Sequence, residues 1–235
     1  MPVLLLAQGD PEARDNLRRA IEARYGPRPP VLDSLFLEFR GRANVKLGPV
    51  HTWVPFDLKA RFDFPRSMRW DYTARPLKMP LLHGAEAVHG DIYRSQRGDR
   101  KPDTIEDEEE VRSMRRRLWA FAAVLLTPLS DYTVRLTTTG ERSFKATNTE
   151  LDASAEICLR DDHSLEMVQL ECLNAEAREM QRFYIQTSTE LASVDDLLLP
   201  DQLTIGWNDS PYYEARPVNV ATNTIIPDAI FKLEK

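Results

Sequence analysis

Polar and apolar residues alternate with a period of two along most of this chain. Leu35, Leu37, Phe39, Ala43, Val45 and Leu47 are apolar, and Ser34, Glu38, Arg40, Arg42, Asn44 and Lys46 lie between them. Successive side chains of a strand point to opposite faces, so this pattern predicts a long half-buried strand. Gly48-Pro49 turns the chain. A second strand follows, with Phe56, Leu58, Ala60, Phe62 and Phe64 on one face and Asp57, Lys59, Arg61 and Asp63 on the other. After a Pro65-Arg66-Ser67 turn, a third strand sets Met68, Trp70 and Tyr72 against Arg69, Asp71 and Thr73. Three alternating strands with short connections predict an antiparallel meander. Residues 76–103 hold Pro76, Pro80, Gly84, Gly90, Gly98 and Pro102, and read as loops with one or two short strands near 85–93. The two-residue period returns after Asp131. Tyr132, Val134 and Leu136 predict one strand, and Phe144 and Ala146 the next. Ala155, Ile157 and Leu159 follow, then an Asp161-Asp162-His163-Ser164 turn answered by Val168, Leu170 and Cys172. Phe183, Ile185 and Thr187 predict another strand, and Leu203, Ile205 and Trp207 the last clear one. Val218 and Val220 add a weaker signal in the tail.

Two stretches break this period. Residues 10–24 predict a helix, with Asp10 as cap, Pro11 in the first turn, and Leu17, Ala20, Ile21 and Ala23 as its apolar side. Gly26, Pro27, Pro29 and Pro30 end it. Residues 105–126 predict a second helix. Thr104 is placed as its cap, Asp107 stands at the capping-box spacing, and the acidic run from Glu106 to Glu110 suits the positive end of the helix dipole. The second half of this helix, Leu118-Trp119-Ala120-Phe121-Ala122-Ala123-Val124-Leu125-Leu126, has no polar face. A helix apolar on all sides must be enclosed. Nine residues are too few to cross a bilayer, which takes about 20. A sheet of eight or more strands curls. The expected fold is therefore α+β, mainly antiparallel β, with a strongly curved sheet or incomplete β-barrel enclosing the apolar helix.

Length and composition fit one domain. The chain has 235 residues, of which 42% are hydrophobic and 29% charged, enough for a sizeable core in a single unit. A net charge of -6 argues against a nucleic-acid partner, since phosphate binding needs a basic stripe. Residues 1–9 contain the apolar run Val3-Leu4-Leu5-Leu6-Ala7 and are read as the remnant of an export signal, with residues 10–235 as the domain. Cys158 and Cys172 fit no metal spacing, and either form a disulfide or are two small buried hydrophobes. The four histidines form no metal-binding helix motif, and no nucleophile elbow, phosphate-binding glycine loop or paired-cysteine motif is present. No cofactor, metal or catalytic residue is expected. Arg112, Arg115, Arg116 and Arg117 form a basic cluster that either touches anionic headgroups or pairs with nearby glutamates.

The segment Phe64-Pro65-Arg66-Ser67-Met68-Arg69-Trp70-Asp71-Tyr72-Thr73 resembles the early strand pair of the LolA-like family of periplasmic lipoprotein carriers. There, too, a strand ends in a Pro-containing turn and an aromatic-rich strand follows. The closing Ile226-Pro227-Asp228-Ala229-Ile230-Phe231 is similar to the tail of that family, and so is the order of N-terminal helix, long strands, inner helix and further strands. In two places the pattern departs. Residues 83–100 lack the clean hairpin expected after the third strand, and the acidic run from Glu106 to Glu110 has no counterpart. The resemblance implies an incomplete antiparallel barrel plugged by helices, acting as a periplasmic, monomeric, non-enzymatic carrier of lipid or a lipidated protein, with contact to membrane surfaces. The rivals are a protein-interaction or sensor domain on the same scaffold, and a small hydrolase with a pocket in the curved sheet.

The site follows from these two readings together. The apolar faces of the first three strands, Leu35, Leu37, Phe39, Phe56, Leu58, Phe62, Phe64, Met68 and Trp70, either line a lipid cavity or form plain core. The helix residues Trp119, Phe121 and Leu125 act either as a movable lid or as a fixed core helix.

Overall fold

A computed structural model describes residues 6–47, 50–76 and 82–233. The Gly48-Pro49 turn, the apolar stretch before Leu6 and the loop residues 77–81 lie outside them. In chain order the elements are β1 (Gln8–Gly9), α1 (Pro11–Tyr25), β2 (Ser34–Leu47), β3 (Val50–Asp63), β4 (Ser67–Ala74), β5 (Leu82–His89), β6 (Ile92–Arg97) and β7 (Asp103–Ile105). Then come α2 (Glu108–Leu125), a 3-10 turn over Thr127–Ser130, β8 (Val134–Gly140), β9 (Ser143–Asn148), β10 (Ala153–Leu159), β11 (Leu165–Asn174) and β12 (Glu179–Thr187). The chain closes with β13 (Leu191–Val194), β14 (Leu197–Pro200), β15 (Leu203–Trp207), β16 (Ser210–Thr222) and α3 (Asp228–Phe231).

Among the described residues fourteen strands form one sheet in the order β1-β8-β9-β10-β11-β12-β15-β16-β2-β3-β4-β5-β6-β7, and β13-β14 stand apart as a hairpin. Every pairing in the large sheet is antiparallel except β1 with β8. The sheet is therefore two meanders joined at one seam, β16 on β2, which runs from Tyr213 opposite Ala43 to Thr222 opposite Leu35. Gly41 allows the close approach there, because a Cβ on it would stand 1.8 Å from the Glu214 carbonyl oxygen. Register shifts interrupt the ladders at Cys158/Leu159, Ile205/Gly206, Pro217/Asn219 and Thr138/Gly140. An extra residue on one strand bends it and increases its twist, and so wide a sheet curls. The result is a strongly curved sheet that does not close into a barrel.

α2 fills the hollow. Leu118 to Leu126 are each at most 8% exposed, as expected for a helix with no polar face. The Trp119 Nε1–H donates to the Ala146 carbonyl at 2.9 Å, and the Leu173 amide donates to Ser113 Oγ at 2.7 Å. α1 closes one end of the sheet beside β8 and β9, burying Leu17, Ala20 and Ile21. Its last turn also caps α2. Arg24 donates to the Val124 carbonyl, and Tyr25 Oη donates to the Leu125 carbonyl at 3.0 Å. These are acceptors that a helix C-terminus leaves without partners of its own. α3 lies on the outer face, where Phe231 stacks on His89 at 6.0 Å and Arg69 donates to the Ile230 carbonyl at 2.8 Å.

Several expectations are corrected. Residues 83–100 do form a clean hairpin, β5 with β6, turned by Gly90-Asp91 with His89 opposite Ile92. Gly90 has φ +59 at the first turn position, where two-residue hairpins favour glycine. α2 begins three residues later than predicted. Asp107, not Thr104, is the cap, accepting from the Glu110 amide at 2.9 Å, because Asp103–Ile105 pair with β6 as a strand. Asp10 does stand at the N-cap of α1, its carbonyl accepting from the Arg14 amide at 3.0 Å, but its carboxylate accepts from the Thr138 amide at 2.9 Å and makes no cap bond. Tyr132 lies outside β8 and is 64% exposed. Cys158 faces Met167 and Cys172 faces Gln181. Both are free thiols, and burial raises each to a pKa of about 11. Among the described residues no helix is long and apolar enough to cross a membrane.

Candidate ligand-binding site

The inner face of β2 to β4 and the C-terminal half of α2 meet across an apolar cleft. Leu37 and Phe39 of β2 and Phe62 of β3 form one wall, and Phe121, Val124 and Leu125 of α2 the other. Both walls follow from local periodicity. Residues two apart share a strand face, and residues three or four apart share a helix face. Leu199, Pro200, Leu203 and Pro217 close the remaining side. The free volume is only about 20 Å³, room for little more than one water. The cleft is thus a seam held nearly shut by the helix, not an open cavity.

Of the twelve side chains singled out from the sequence, Leu37, Phe39, Phe62, Phe121 and Leu125 are brought together in this lining. Leu35, Met68 and Trp119 belong to the same core but are buried away from the cleft. Phe64 is half-buried and stacks on Phe62 at 5.4 Å. Trp70 presents an edge-to-face contact to Phe121 at 5.7 Å. Phe56 is elsewhere. It sits with Ala43, Val54 and Ala74 in a second cluster, stacked on Tyr213 at 4.7 Å, and Leu58 bridges the two clusters. The sheet thus continues past the cleft as a half-buried aromatic shoulder of Leu58, Trp70, Tyr72 and Tyr213.

The mouth is covered by a part of the chain that gave no strand signal. Leu197-Leu198-Leu199 has no alternation, yet β13 and β14 pair as a hairpin whose Leu197 and Leu199 are buried. Its two-residue turn, Asp195-Asp196, has positive φ at both positions, the twist that suits a tight hairpin. β15 pairs with β16 only as far as Ala215, so the later part of that edge of β16 is left to the hairpin. There the Asp195 carboxylate accepts from the Val220 amide at 3.2 Å. Asp195→Ala is expected to loosen the hairpin by about 1 kcal/mol, the net worth of one such bond. Amide exchange at Val220 and across 191–200 then quickens severalfold. Unchanged exchange at Val220 would show that the carboxylate holds nothing.

Three of the four α2 arginines pair with carboxylates. Arg112 and Arg116 pair with Glu109 at 2.5 and 3.2 Å, and Arg115 pairs with Asp91 at 2.9 Å and donates to the Glu150 carbonyl at 3.0 Å. Arg117 lies over the Trp70 ring, 5.5 Å from its centroid. Burial disfavours the Arg117 charge, but the Glu86 carboxylate and Tyr93 more than offset this, so its pKa is raised. Burial, with the nearby Tyr212 and Glu86, also holds the Tyr213 phenol well above its usual pKa. His89 hydrogen-bonds Ser67 Oγ at 2.9 Å and His83 lies 3.4 Å from Asp99. Among the described residues no group of three His, Cys, Asp or Glu side chains is placed to hold a metal ion.

An open, curved antiparallel sheet whose hollow is occupied by a helix defines a class of fold shared with known structures. No family model matches the chain, and no curated protein is significantly similar to it. A LolA superfamily protein from Nitrosomonas europaea aligns over 93% of this chain and 96% of its own, with a TM-score of 0.51 at 10% identity. A putative outer membrane lipoprotein-sorting protein domain from Vibrio parahaemolyticus aligns over 94% of both chains, with a TM-score of 0.46 at 10% identity. The chain has the LolA-like fold.

Proposed function

We propose that this protein is a non-enzymatic, monomeric carrier of the bacterial cell envelope that holds an acyl chain, a lipid or a lipidated protein between α2 and the inner face of β2 to β4. The observation that carries this reading is a cleft lined by apolar side chains alone, roofed by a helix and a separately docked hairpin. An all-apolar lining has nothing to polarise a bond or move a proton, which supports a carrier over a hydrolase. Each methylene taken into such a site is worth about 0.8 kcal/mol. A chain of roughly ten methylenes gains about 8 kcal/mol gross on that basis. That is of the same order as re-exposing three or four buried side chains of α2 or the hairpin, at about 1.5–3 kcal/mol each. Ligand and helix compete for one apolar surface, so uptake displaces α2 or the hairpin, and release follows from their return. The export reading rests on the kind of fold.

A displacement titration tests this. A fluorescent apolar probe should bind the full chain saturably and be displaced by oleyl alcohol, a long chain without charge. The absence of saturable binding by either compound would remove the carrier reading.

A further inference from the structure

Arg117 is the exception among the α2 arginines. Among the described residues it makes no hydrogen bond and no ion pair; its Nε is buried without an acceptor, as is that of Arg115, but Arg115 has partners for its terminal nitrogens and Arg117 has none. Arg112, Arg115 and Arg116 all have carboxylate partners. The nearby Glu86 is occupied elsewhere, its carboxylate accepting from Trp70 Nε1 at 2.8 Å. The Glu86 carboxylate supplies a nearby counter-charge, but among the described residues the two terminal guanidinium nitrogens make no protein hydrogen bond and are not among the buried unpartnered atoms, so they remain free to donate to a ligand.

Its position says what kind of ligand those free donors suit. Arg117, Phe121 and Leu125 are spaced four residues apart, so they form one stripe along α2. Phe121 and Leu125 line the apolar cleft. The charge therefore stands one turn, about 6 Å, beyond its apolar wall. Trp70 touches both parts, its ring under the guanidinium and against the edge of Phe121. The neighbourhood is aromatic and half-open, with Trp70, Tyr72 and Tyr213 partly exposed.

We infer that the ligand is an amphiphile with an anionic oxygen head, a carboxylate or a phosphate, bound by Arg117 above Trp70, with its alkyl chain running along α2 past Phe121 to Leu125. This rests on the carrier reading. The planar guanidinium offers paired donors that match two oxygens of either head, and charge-assisted bonds of this kind are about twice as strong as neutral ones. Glu86, Tyr93 and Cys172 also face Arg117. Glu86 is the group that opposes an anion; the hydrogen bond from Trp70 leaves its charge in place, so the head is held only as far as its own bonds to Arg117 outweigh that opposition.

Calorimetric titration of the full chain with oleate, oleyl phosphate and oleyl alcohol provides the test, using wild type, Arg117→Gln and Arg117→Lys. Wild type should bind both anions at least about tenfold more tightly than the alcohol. Arg117→Gln should abolish that preference, so that anions and alcohol bind alike, and Arg117→Lys should keep part of it. Either order of oleate and oleyl phosphate supports the inference, and the order names the head. Equal binding of anion and alcohol by wild type overturns it while leaving the carrier reading intact, and this comparison needs no variant to fold. Preference retained by Arg117→Gln overturns it as well. If no compound binds, the carrier reading falls and the inference with it.

Discussion

Replacing Trp119 by alanine is expected to lower the unfolding free energy by about 3–5 kcal/mol, the usual range for losing a large aromatic from a packed core. Trp119 is 1% exposed and stands among the largest fully buried side chains described. Its loss removes apolar contacts and leaves a void that the surrounding strands cannot fill, because the ladder fixes their backbones. It also removes the indole as a second donor to the Ala146 carbonyl, which lies within the β8–β9–β10 ladder, and so adds the worth of one hydrogen bond. Trp119→Phe separates the two effects. It keeps most of the volume and loses only the donor, so a smaller loss of about 1–2 kcal/mol is expected. Urea unfolding followed by far-ultraviolet circular dichroism, which does not depend on the tryptophans, measures both. A loss under 1 kcal/mol for Trp119→Ala would mean that α2 is not enclosed by the sheet.

That enclosure was readable from the sequence because it is local. Nine successive residues without a polar face force burial wherever the helix lies, and the alternation in β2, β3, β4 and most of β8 to β12 depends only on neighbours. The elements that were only partly legible are held by distant ones. β5 is built from Leu82, His83, Gly84, Ala85, Glu86, Ala87, Val88 and His89, poor in the branched and aromatic residues that mark strands. Ala85 and Ala87 are buried because Leu233 packs on them from the far end of the chain. β16 contains Pro211 and Pro217, and proline argues against a central strand. Pro217 is tolerated because it lies at the register shift and beyond the reach of β15. Five of the twelve chosen side chains meet in the cleft, but Leu199, Pro200, Leu203 and Pro217 arrive there only through the β16–β2 seam, which no period in the sequence announces. Arg117 was visible as one of four arginines and hidden as the one that matters. The spacing to Phe121 and Leu125 was available from the start. That its neighbours form direct ion pairs while its own terminal nitrogens make no hydrogen bond becomes apparent only in three dimensions.

Phe121→Ala is expected to have two opposed effects, and their combination separates a ligand site from ordinary core. Phe121 is 8% exposed, lies 6.0 Å from Phe62 and 5.7 Å from Trp70, and forms part of the cleft wall. Truncating it should cost about 3 kcal/mol. The ring sits at the cleft, so the vacated space adds to the existing volume of about 20 Å³ rather than forming an isolated void. An apolar space of that kind stays dry and accepts small hydrocarbons. Benzene should therefore stabilise Phe121→Ala and leave wild type unaffected, because the wild-type cleft has no room for a ring. Ligand at about one hundred times its dissociation constant restores about 2.7 kcal/mol, nearly the whole deficit. A long-chain alcohol distinguishes the two proteins differently. It must displace α2 or the hairpin in wild type and needs to do less in the variant, so it should bind both, and Phe121→Ala more tightly. Melting temperatures with and without each compound read all four cases. Rescue of the variant by benzene, with no effect of the alcohol on either protein, would mark the cleft as core that merely tolerates a hole and would remove the competition between helix and ligand.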